Sequence, residues 1–393
     1  MAGLYALWAW LFVVLGTAIA LLGPALPQLR RDFGLSLAGS GLVFMLHSTG
    51  YLAGVFAAGP LADIRGRRPV MGAGLAVLAA GMALAALAPR WPLLLGAMVV
   101  AGAGFAFIDV GLNAAIADAV QGTGRRAAAM NLLHGAFPAG TLVAPAALAG
   151  AYGLGLGWRT VFAGVAALIA ASLLPLGFRR FAWPPAPPSE RGAASPLQLL
   201  REPHLRHLAL LQGLYVGVEL GIAGWVATYL IERFGASESA GALATSLYWA
   251  GFLAGRPVVA FLTHRFGAER VLPWLMVTGI GMAAFALASP AALPAAILFA
   301  LTGAAICGVF PTVMALALEG RAGDAGSAAA LVTGVSSVGG LAWPWLVGAV
   351  AQVAGLRAGM ATAAAPLVAM LLLSHRWPRW TVRRRRRRSG WWP

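Results

Sequence analysis

The sequence has little charge for its length. Of its 393 residues, 10% are charged, whereas a soluble domain carries roughly 25%. It contains 12 acidic residues, no lysine and a single cysteine, Cys307. The lone cysteine excludes a disulfide within the chain and a CxxC metal site. The scarcity of charge excludes a soluble globular protein of this size, because too few charged side chains are present to cover its surface.

The sequence is instead rich in long runs of hydrophobic residues. Hydrophobic residues make up 60% of it, and the mean hydropathy is +0.81. A membrane-spanning helix needs about 20 apolar residues, and the apolar runs predict twelve such spans. They lie at 4–29, 38–60, 70–88, 93–119, 127–150, 159–177, 208–231, 239–262, 271–288, 292–318, 326–350 and 358–375. No basic region precedes the first run, so we expect it to remain as a span rather than a cleaved signal.

One long connection divides the spans six and six. Residues 178–207 include a proline-rich stretch that starts at Trp183-Pro184-Pro185, and such a stretch cannot continue a helix. The sequence therefore predicts an N-terminal six-helix bundle over 1–177 and a cytoplasmic linker over 178–207. It predicts a C-terminal six-helix bundle over 208–376 and an arginine-rich cytoplasmic tail over 377–393.

The arginines predict the orientation of the chain. With both termini inside, 22 of the 28 arginines, Arg256 among them, fall on the cytoplasmic side, as the positive-inside rule requires. We therefore expect a multi-pass protein of the cytoplasmic (inner) membrane. The net charge of +16 does not indicate nucleic-acid binding, which needs a water-soluble fold with a basic face. The run Arg383 to Arg388 is instead predicted to bind anionic lipid headgroups.

The two halves repeat each other at an offset of 201 residues. The offset relates Phe33-Gly34-Leu35-Ser36 to Phe234-Gly235-Ala236-Ser237, Gly50 to Gly251, Gly66 to Gly267, and Asp118 to Glu319. Two parallel six-helix repeats are an alternating-access architecture, in which the solute binds between the halves near mid-membrane.

The loop between the second and third spans carries the most specific motif. Its sequence, from Gly59 to Met71, is GPLADIRGRRPVM, and it resembles the signature loop of the major facilitator superfamily. The resemblance implies an all-α membrane fold of 12 transmembrane helices in two six-helix parallel repeats. It also implies that Asp63, with Arg67 and Arg68 beside it, latches one state of the transport cycle. Gly59 is expected to allow close helix approach, and Gly66 to form the tight turn.

Two acids lie far from the ends of their spans, Asp109 in the fourth and Glu219 in the seventh. An ionisable group at mid-membrane costs about 2.5–3.5 kcal/mol even on mild scales, so each is a candidate functional residue. The alternative for each is a protonated acid that hydrogen-bonds two helices. Asn113 shares a helical face with Asp109. His47 is a weaker candidate, because a lone histidine is more often a satisfied interior residue.

A narrower resemblance covers three of these segments. The patterns Asp109-x-x-x-Asn113, Met130-Asn131-Leu132-Leu133-His134 and Tyr215-Val216-Gly217-Val218-Glu219 look like the fucose/glucose–galactose proton-symporter branch. The resemblance implies that Asp109 binds substrate or proton. It implies hydrogen bonds to a sugar from Asn113, Asn131, His134 and Glu219, and an aromatic face from Trp225, Tyr229 or Trp249. The branch also has an acid before the Leu-Pro-Gln of its first span. Here Leu22-Gly23-Pro24-Ala25 precedes Leu26-Pro27-Gln28, so proton coupling would rest on Asp109, alone or with Glu219.

A rival pattern occurs in the fifth span. Gly140-Thr141-Leu142-Val143-Ala144-Pro145 partly resembles the antiporter motif of drug exporters, although alanine stands where that motif has glycine. This keeps a proton-driven efflux antiporter for a drug or sugar as the alternative function.

Other expectations concern the helix ends and the protein class. The acids Asp118 and Glu319, near Arg125, Arg126 and Arg321, are predicted to form gating or structural ion pairs at the cytoplasmic side. No HExxH, GxSxG or P-loop pattern is present, which indicates a transporter rather than an enzyme. We expect no cofactor or metal, a proton gradient as energy source, a small-molecule substrate and a monomer. The direction of transport stays open.

Overall fold

A computed structural model describes residues 2–120, 133–177, 183, 196–318 and 325–374. The secondary structure of these residues is entirely α-helical. The N-terminal half contains α1 (Ala2–Ala20), α2 (Leu22–Phe33), α3 (Leu37–Arg65), α4 (Arg67–Leu87), α5 (Trp91–Ala119), α6 (Phe137–Gly153), α7 (Trp158–Ala171) and α8 (Leu173–Gly177). The C-terminal half contains α9 (Pro196–Leu199), α10 (Pro203–Phe234), α11 (Glu238–Phe266), α12 (Ala268–Ala288), α13 (Ala292–Ile306), α14 (Val309–Leu318), α15 (Ala325–Ala354), α16 (Leu356–Ala364) and α17 (Pro366–Ser374).

These helices match the twelve predicted spans. Ten spans of the described residues are long and apolar enough to cross a membrane. The remaining two are α6, with 17 described residues, and α11, which carries Arg256 within its length. Most of the predicted linker and the whole of the predicted tail lie outside the described residues. Within the described part of the linker, α9 begins at Pro196, and α10 starts at Pro203, five residues before the predicted seventh span.

Four spans are broken into two helices each. The breaks fall at Leu21, Ser172, Cys307–Gly308 and Ala365. A proline follows each break within three residues, at Pro24, Pro175, Pro311 and Pro366. Proline has no N–H and collides with the carbonyl four residues earlier, so it interrupts the helical hydrogen-bond ladder. The apolar pattern predicts the positions of these spans correctly but predicts each as one helix.

The turns of the two halves share one backbone geometry. Gly34 and Gly235 have φ of 62° and 67°, and Gly66 and Gly267 have φ of 88° and 83°. Side chains with a Cβ avoid this left-handed region, so the repeated glycines are required by the turns. The predicted tight turn at Gly66 is confirmed.

The close approaches between helices repeat as well. Glycines allow one backbone to touch the next, as is common in membrane bundles. The equivalent contacts are Gly50–Val99 and Gly251–Ala300, Gly54–Ala103 and Gly255–Ala304, and Gly102–His47 and Gly303–Tyr248. Each pair is related by the same 201-residue offset, which confirms the parallel repeat in the packing itself.

The two halves meet along three helix pairs. In these pairs α2 packs on α10, α3 on α15, and α6 on α11. At the first contact Gly23 faces Gly224, its own repeat equivalent. A Cβ on Gly23 would lie 2.9 Å from the Gly224 Cα, so neither half has room for a side chain there. The candidate site lies along this interface.

Candidate functional site between the two halves

Four polar side chains of the N-terminal half form one hydrogen-bonded cluster. The Tyr51 hydroxyl donates to Asp109 Oδ2 at 2.8 Å, and Asn113 Nδ2 donates to Asp109 Oδ1 at 2.9 Å. His134 Nε2 lies 2.9 Å from Asn113 Oδ1. Three separate elements therefore contribute: Tyr51 from α3, Asp109 and Asn113 from α5, and His134 from the segment before α6. We call these four residues the Asp109 cluster.

The donors of the Asp109 cluster point towards the carboxylate. Because Asn113 Oδ1 can only accept, His134 must carry its proton on Nε2. The order of donation then runs from His134 to Asn113 to Asp109, with Tyr51 donating from the other side. Each carboxylate oxygen of Asp109 thus accepts a hydrogen bond inside the bundle, as buried polar atoms nearly always do. The four residues are half-buried.

Aromatic rings border the Asp109 cluster. The ring centroid of Phe12 lies 4.4 Å from that of His134. Phe105 packs against both Tyr51 and His47, at 5.8 and 5.9 Å between centroids. The histidine at 47 is buried and lies beside the cluster rather than in it.

The C-terminal half places Glu219 near an arginine. The Tyr215 side chain, one turn earlier on α10, interacts with the Glu219 carboxyl group, and Arg256 of α11 acts on it electrostatically. The Tyr248 hydroxyl donates to the Glu219 backbone carbonyl at 3.3 Å. In the described part of this half, an acid and a cation, Glu219 and Arg256, thus lie within interaction distance inside the bundle.

The position of Arg256 corrects its assignment to the cytoplasmic side. This arginine lies ten residues before the end of α11, about 15 Å along a helix that rises 1.5 Å per residue. Its Nη1 donates to the His134 carbonyl at 3.4 Å, across the boundary between the halves. A guanidinium inside a span costs about 2.5–3.5 kcal/mol on insertion scales. Its depth could have been read from the predicted span 239–262, which already contained it.

A small cavity lies between the halves near these groups. Its volume is about 20 Å³, which is enough for one water molecule. Helices of both halves line it, including His47 and Ser48 of α3, Ala223 and Gly224 of α10, and Trp249 of α11. The Trp249 indole N–H is buried and has no hydrogen-bond partner.

The surroundings of two further residues of α10, Trp225 and Gln212, were not predicted. Trp225 is fully buried, and its indole N–H donates to the Pro344 carbonyl at 2.7 Å, so it packs within the C-terminal half and does not line the cavity. Its substrate role stays a prediction. Gln212 was missed, although its spacing of three and seven residues from Tyr215 and Glu219 places all three on one face. Both its amide atoms are buried without a partner.

The loop motif makes contacts within its own half. Arg67 Nε donates to Asp118 Oδ2 at 3.0 Å, and Arg68 donates to the Leu176 and Gly177 carbonyls at 2.9 and 2.7 Å. Among the described residues, the partner of Asp118 is Arg67. Arg125 and Arg126, the predicted partners, lie outside the described residues, and their pairing with Asp118 stays a prediction. Within the described part of the chain, a Cβ on Gly59 would meet nothing within 4 Å. The expected close approach at Gly59 is wrong for this conformation.

Several predicted site residues cannot be located in this way. The side chain of Asp63 and the residues Asn131, Arg126, Glu319 and Arg321 lie outside what the structure describes. Their assigned roles stay predictions. Among the described residues, no group of three or more histidine, cysteine or acidic side chains could hold a metal ion.

Polar contacts join the halves at the end of the bundle that holds Arg30, which we call the Arg30 end. Arg30 pairs with Glu232, and Arg31 pairs with Glu238. The amide of Gln28 donates to Glu238 at 2.6 Å. Further contacts are Leu37 N to Gln352 Oε1 at 2.9 Å and Ser239 Oγ to the Ala149 carbonyl at 3.0 Å. Among described residues, no such inter-half contact lies nearer the opposite end, which holds Arg67, than that of Arg256 with His134.

Two repeated six-helix bundles with ionisable groups at their boundary define a membrane transporter of the alternating-access class. The family follows from the sequence match. Residues 8–344 match the Major Facilitator Superfamily, and the chain belongs to that family, whose fold and members are those of transporters.

Individual relatives are more distant. The mouse sodium-dependent glucose transporter 1A is 32% identical over 134 residues, which are 34% of this chain and 31% of that protein. The aligned stretch thus spans about a third of that relative. A bacterial homologue of the human lysosomal transporter Spinster, solved inward-facing and occupied, superposes with a TM-score of 0.79 at 18% identity over 95% of each chain. The fucose:proton symporter of E. coli gives 0.67 at 19% identity, covering 94% of this chain and 97% of that one. At these identities the structural likeness shows the fold.

Proposed function

We propose that this transporter moves a small polar solute, a sugar or a related molecule, across the cytoplasmic membrane by alternating access coupled to protons. The observation that carries the proposal is the Asp109 cluster. A carboxylate that accepts hydrogen bonds from Tyr51 and Asn113 inside a helical bundle is costly to maintain. Such a group is retained when it exchanges a proton or a ligand in the transport cycle.

In this proposal Asp109 carries the coupled proton, and Glu219 is the second titratable group of the pathway. Asn113, His134 and His47 offer hydrogen bonds to the solute, and we keep Asn131 and Trp225 as predicted contacts. Sugar sites combine a few directed polar groups with aromatic faces. The named activities of the mouse glucose transporter and the bacterial fucose symporter support a sugar-like substrate.

The contacts at the Arg30 end suggest the state of the transporter. We propose that the Arg30 end is the extracytoplasmic face, that both termini are cytoplasmic, and that the solute pathway is closed outside in this conformation. The loop residues Asp63, Gly66, Arg67 and Arg68 would then act at the cytoplasmic face during the change of state. The interaction of Arg383 to Arg388 with anionic headgroups remains part of the proposal.

The antiporter alternative receives no specific support from the packing. Gly140, which begins that pattern, lies against the Val13 carbonyl of α1. The glycine is therefore explained by close packing of α6 on α1 within the N-terminal half.

The test uses purified protein in proteoliposomes with a panel of labelled sugars and sugar derivatives. An inward proton gradient should drive accumulation by the unaltered protein, and Asp109→Asn should abolish accumulation while it spares equilibrative exchange. The matched control is Asp32→Asn, whose carboxylate accepts from the Trp158 indole at the Arg30 end and should keep coupled uptake.

Two results would contradict the proposal. Uphill accumulation by Asp109→Asn equal to that of the unaltered protein would remove Asp109 from the coupling step. Accumulation that depends on a sodium gradient and not on the proton gradient would show that sodium is the coupling ion. This experiment is included because the mouse relative is named a sodium-dependent transporter.

A further inference from the structure

Arg256 has more hydrogen-bonding capacity than the protein uses. A guanidinium presents five N–H donors in a fixed fork, yet among the described residues Arg256 makes a single long hydrogen bond, of 3.4 Å, to the His134 carbonyl. Its Nε is buried with no partner. Among the described residues no carboxylate lies within ion-pair distance of Arg256, and Glu219 acts on it from further away.

A second unused donor lies on the same side of α11. Trp249 precedes Arg256 by seven residues, which is two helical turns, so both side chains leave the same face. The Trp249 indole N–H is buried without a partner, and the residue lines the cavity between the halves. The two donors are separated by about 10 Å along the helix. Buried donors are nearly always satisfied in native structures, so a missing partner at both points to a ligand.

The chemistry of this face determines what the ligand must offer. Both unpartnered groups are donors, and one of them is a permanent cation, so the complementary ligand is an acceptor with negative charge. Arginine recognises a planar carboxylate through two parallel N–H bonds. Glu219 interacts electrostatically with this single cation and would repel a second negative charge, which favours a monoanion over a doubly charged phosphate ester.

We propose that Arg256 binds a carboxylate of the transported solute, with the Trp249 indole as a second donor, so that the substrate class is a small organic acid such as a sugar acid. This inference rests on the proposed function, since it names the solute of the same pathway. It changes the substrate from a neutral sugar to a monocarboxylate, and it makes Arg256 the residue that selects for charge.

The test compares acids with their neutral counterparts. Thermal unfolding of the purified protein is measured with galacturonate, glucuronate, gluconate and 3-phenylpropionate, and in parallel with galactose and glucose. At least one acid should raise the unfolding midpoint in a saturable way, and the neutral hexoses should bind at least tenfold more weakly. Arg256→Gln should lose the binding of that acid by tenfold or more, and Arg256→Lys should retain part of it.

Controls separate this inference from loss of folding and from the proposed function. Arg233→Gln removes the same charge at an exposed position of α10 and should bind the acid normally. Arg256→Gln should unfold at the temperature of the unaltered protein when no solute is present. Equal binding of neutral hexoses, unchanged in Arg256→Gln, would overturn the carboxylate assignment and leave the proposed function standing. Absence of stabilisation by every acid and hexose would overturn both.

Discussion

The two halves of the transporter share a backbone and differ in their polar chemistry. Gly102 and Gly303 hold equivalent close contacts, and Ser36 and Ser237 accept equivalent N–H groups at the starts of α3 and α11. The polar positions do not correspond in this way. The 201-residue offset relates Tyr51 to Phe252 and Asp109 to Phe310. Packing therefore preserves the repeat, while the candidate site consists of polar residues that only one half carries.

The Asp109 cluster and the polar side chains of α10 and α11 also differ in how completely they are satisfied. In the Asp109 cluster each side chain hydrogen-bonds to the next. In the C-terminal half, Gln212, Trp249 and Arg256 each have a buried atom without a partner. A satisfied cluster suits a group that must hold and release a proton in a fixed place. Unsatisfied donors suit a solute that comes and goes. Four predictions test this difference, beginning with the largest effect.

Tyr51→Phe should impair the Asp109 cluster strongly. It removes a hydrogen bond to a charged group, which contributes about 1.5–3 kcal/mol, and proton-driven uptake should fall by about tenfold or more. Tyr229→Phe in the other half is the matched control, because the described structure gives its buried hydroxyl no partner. Initial rates of uptake in proteoliposomes measure both variants. Equal rates in the two would mean that Tyr51 does not support Asp109.

Gly102→Ala and Gly303→Ala should destabilise the protein to similar extents. A Cβ on Gly303 would lie 2.8 Å from the Tyr248 carbonyl, and one on Gly102 would collide with the His47 carbonyl. Overpacking of this kind costs about 1–3 kcal/mol. Gly96→Ala, also on α5 but in open space, should unfold no earlier than the unaltered protein. Unfolding in mixed micelles provides the comparison, and a large loss in only one of the two variants would show that the halves are not equivalent in packing.

Gln212→Leu should stabilise the protein by about 1 kcal/mol. The replacement removes two buried amide atoms without partners, and an unmet buried polar group costs about 1–3 kcal/mol. Gln28→Leu is the opposite case, because its amide donates to Glu238 and its oxygen accepts from Trp158 N. That variant should lose stability. The same unfolding assay measures both variants. A lower stability of Gln212→Leu would mean that the Gln212 amide has hydrogen-bond partners in the membrane.

The smallest effect is expected at the Arg30 end. Arg31→Gln, Glu238→Gln and the double variant form a cycle whose coupling energy should be about 0.2–1 kcal/mol, as for other exposed pairs. The coupling should shrink as salt is added. Unfolding midpoints at low and high salt measure it. A coupling that is unchanged by salt would show that the pair is not an exposed ionic contact.

The sequence predicted the spans, the repeat and Asp109 because each depends on local or periodic patterns. Span length, the spacing of glycines and a lone acid in an apolar run can all be read along the chain. The hydrogen bond from Tyr51 to Asp109 could not, because it depends on which helices are neighbours. The same limit applies to the contact of Asp118 with Arg67, because the two residues lie 51 positions apart in sequence and only the fold brings them together.

Trp225 and Arg256 are two residues whose surroundings differ from the prediction. Trp225 was expected to face a solute, but the carbonyl that takes its N–H belongs to Pro344, 119 residues away. Arg256 was counted with the loop arginines because positive-inside reasoning treats arginine as a topology signal. The predicted span 239–262 already contained it, and α11, which continues to Phe266, places it ten residues from the helix end.

The ion pairs at the Arg30 end constrain how a duplicated ancestor could have diverged. Arg31 and Glu232 are equivalent under the 201-residue offset, and Arg30 pairs with Glu232 across the pseudo-twofold axis. A chain assembled from two copies of the first half would set arginines against arginines at this end. One half can consequently not be replaced by a copy of the other without losing these ion pairs. A chimera with two N-terminal halves should fail to close, unless the arginines of one copy are replaced by acids.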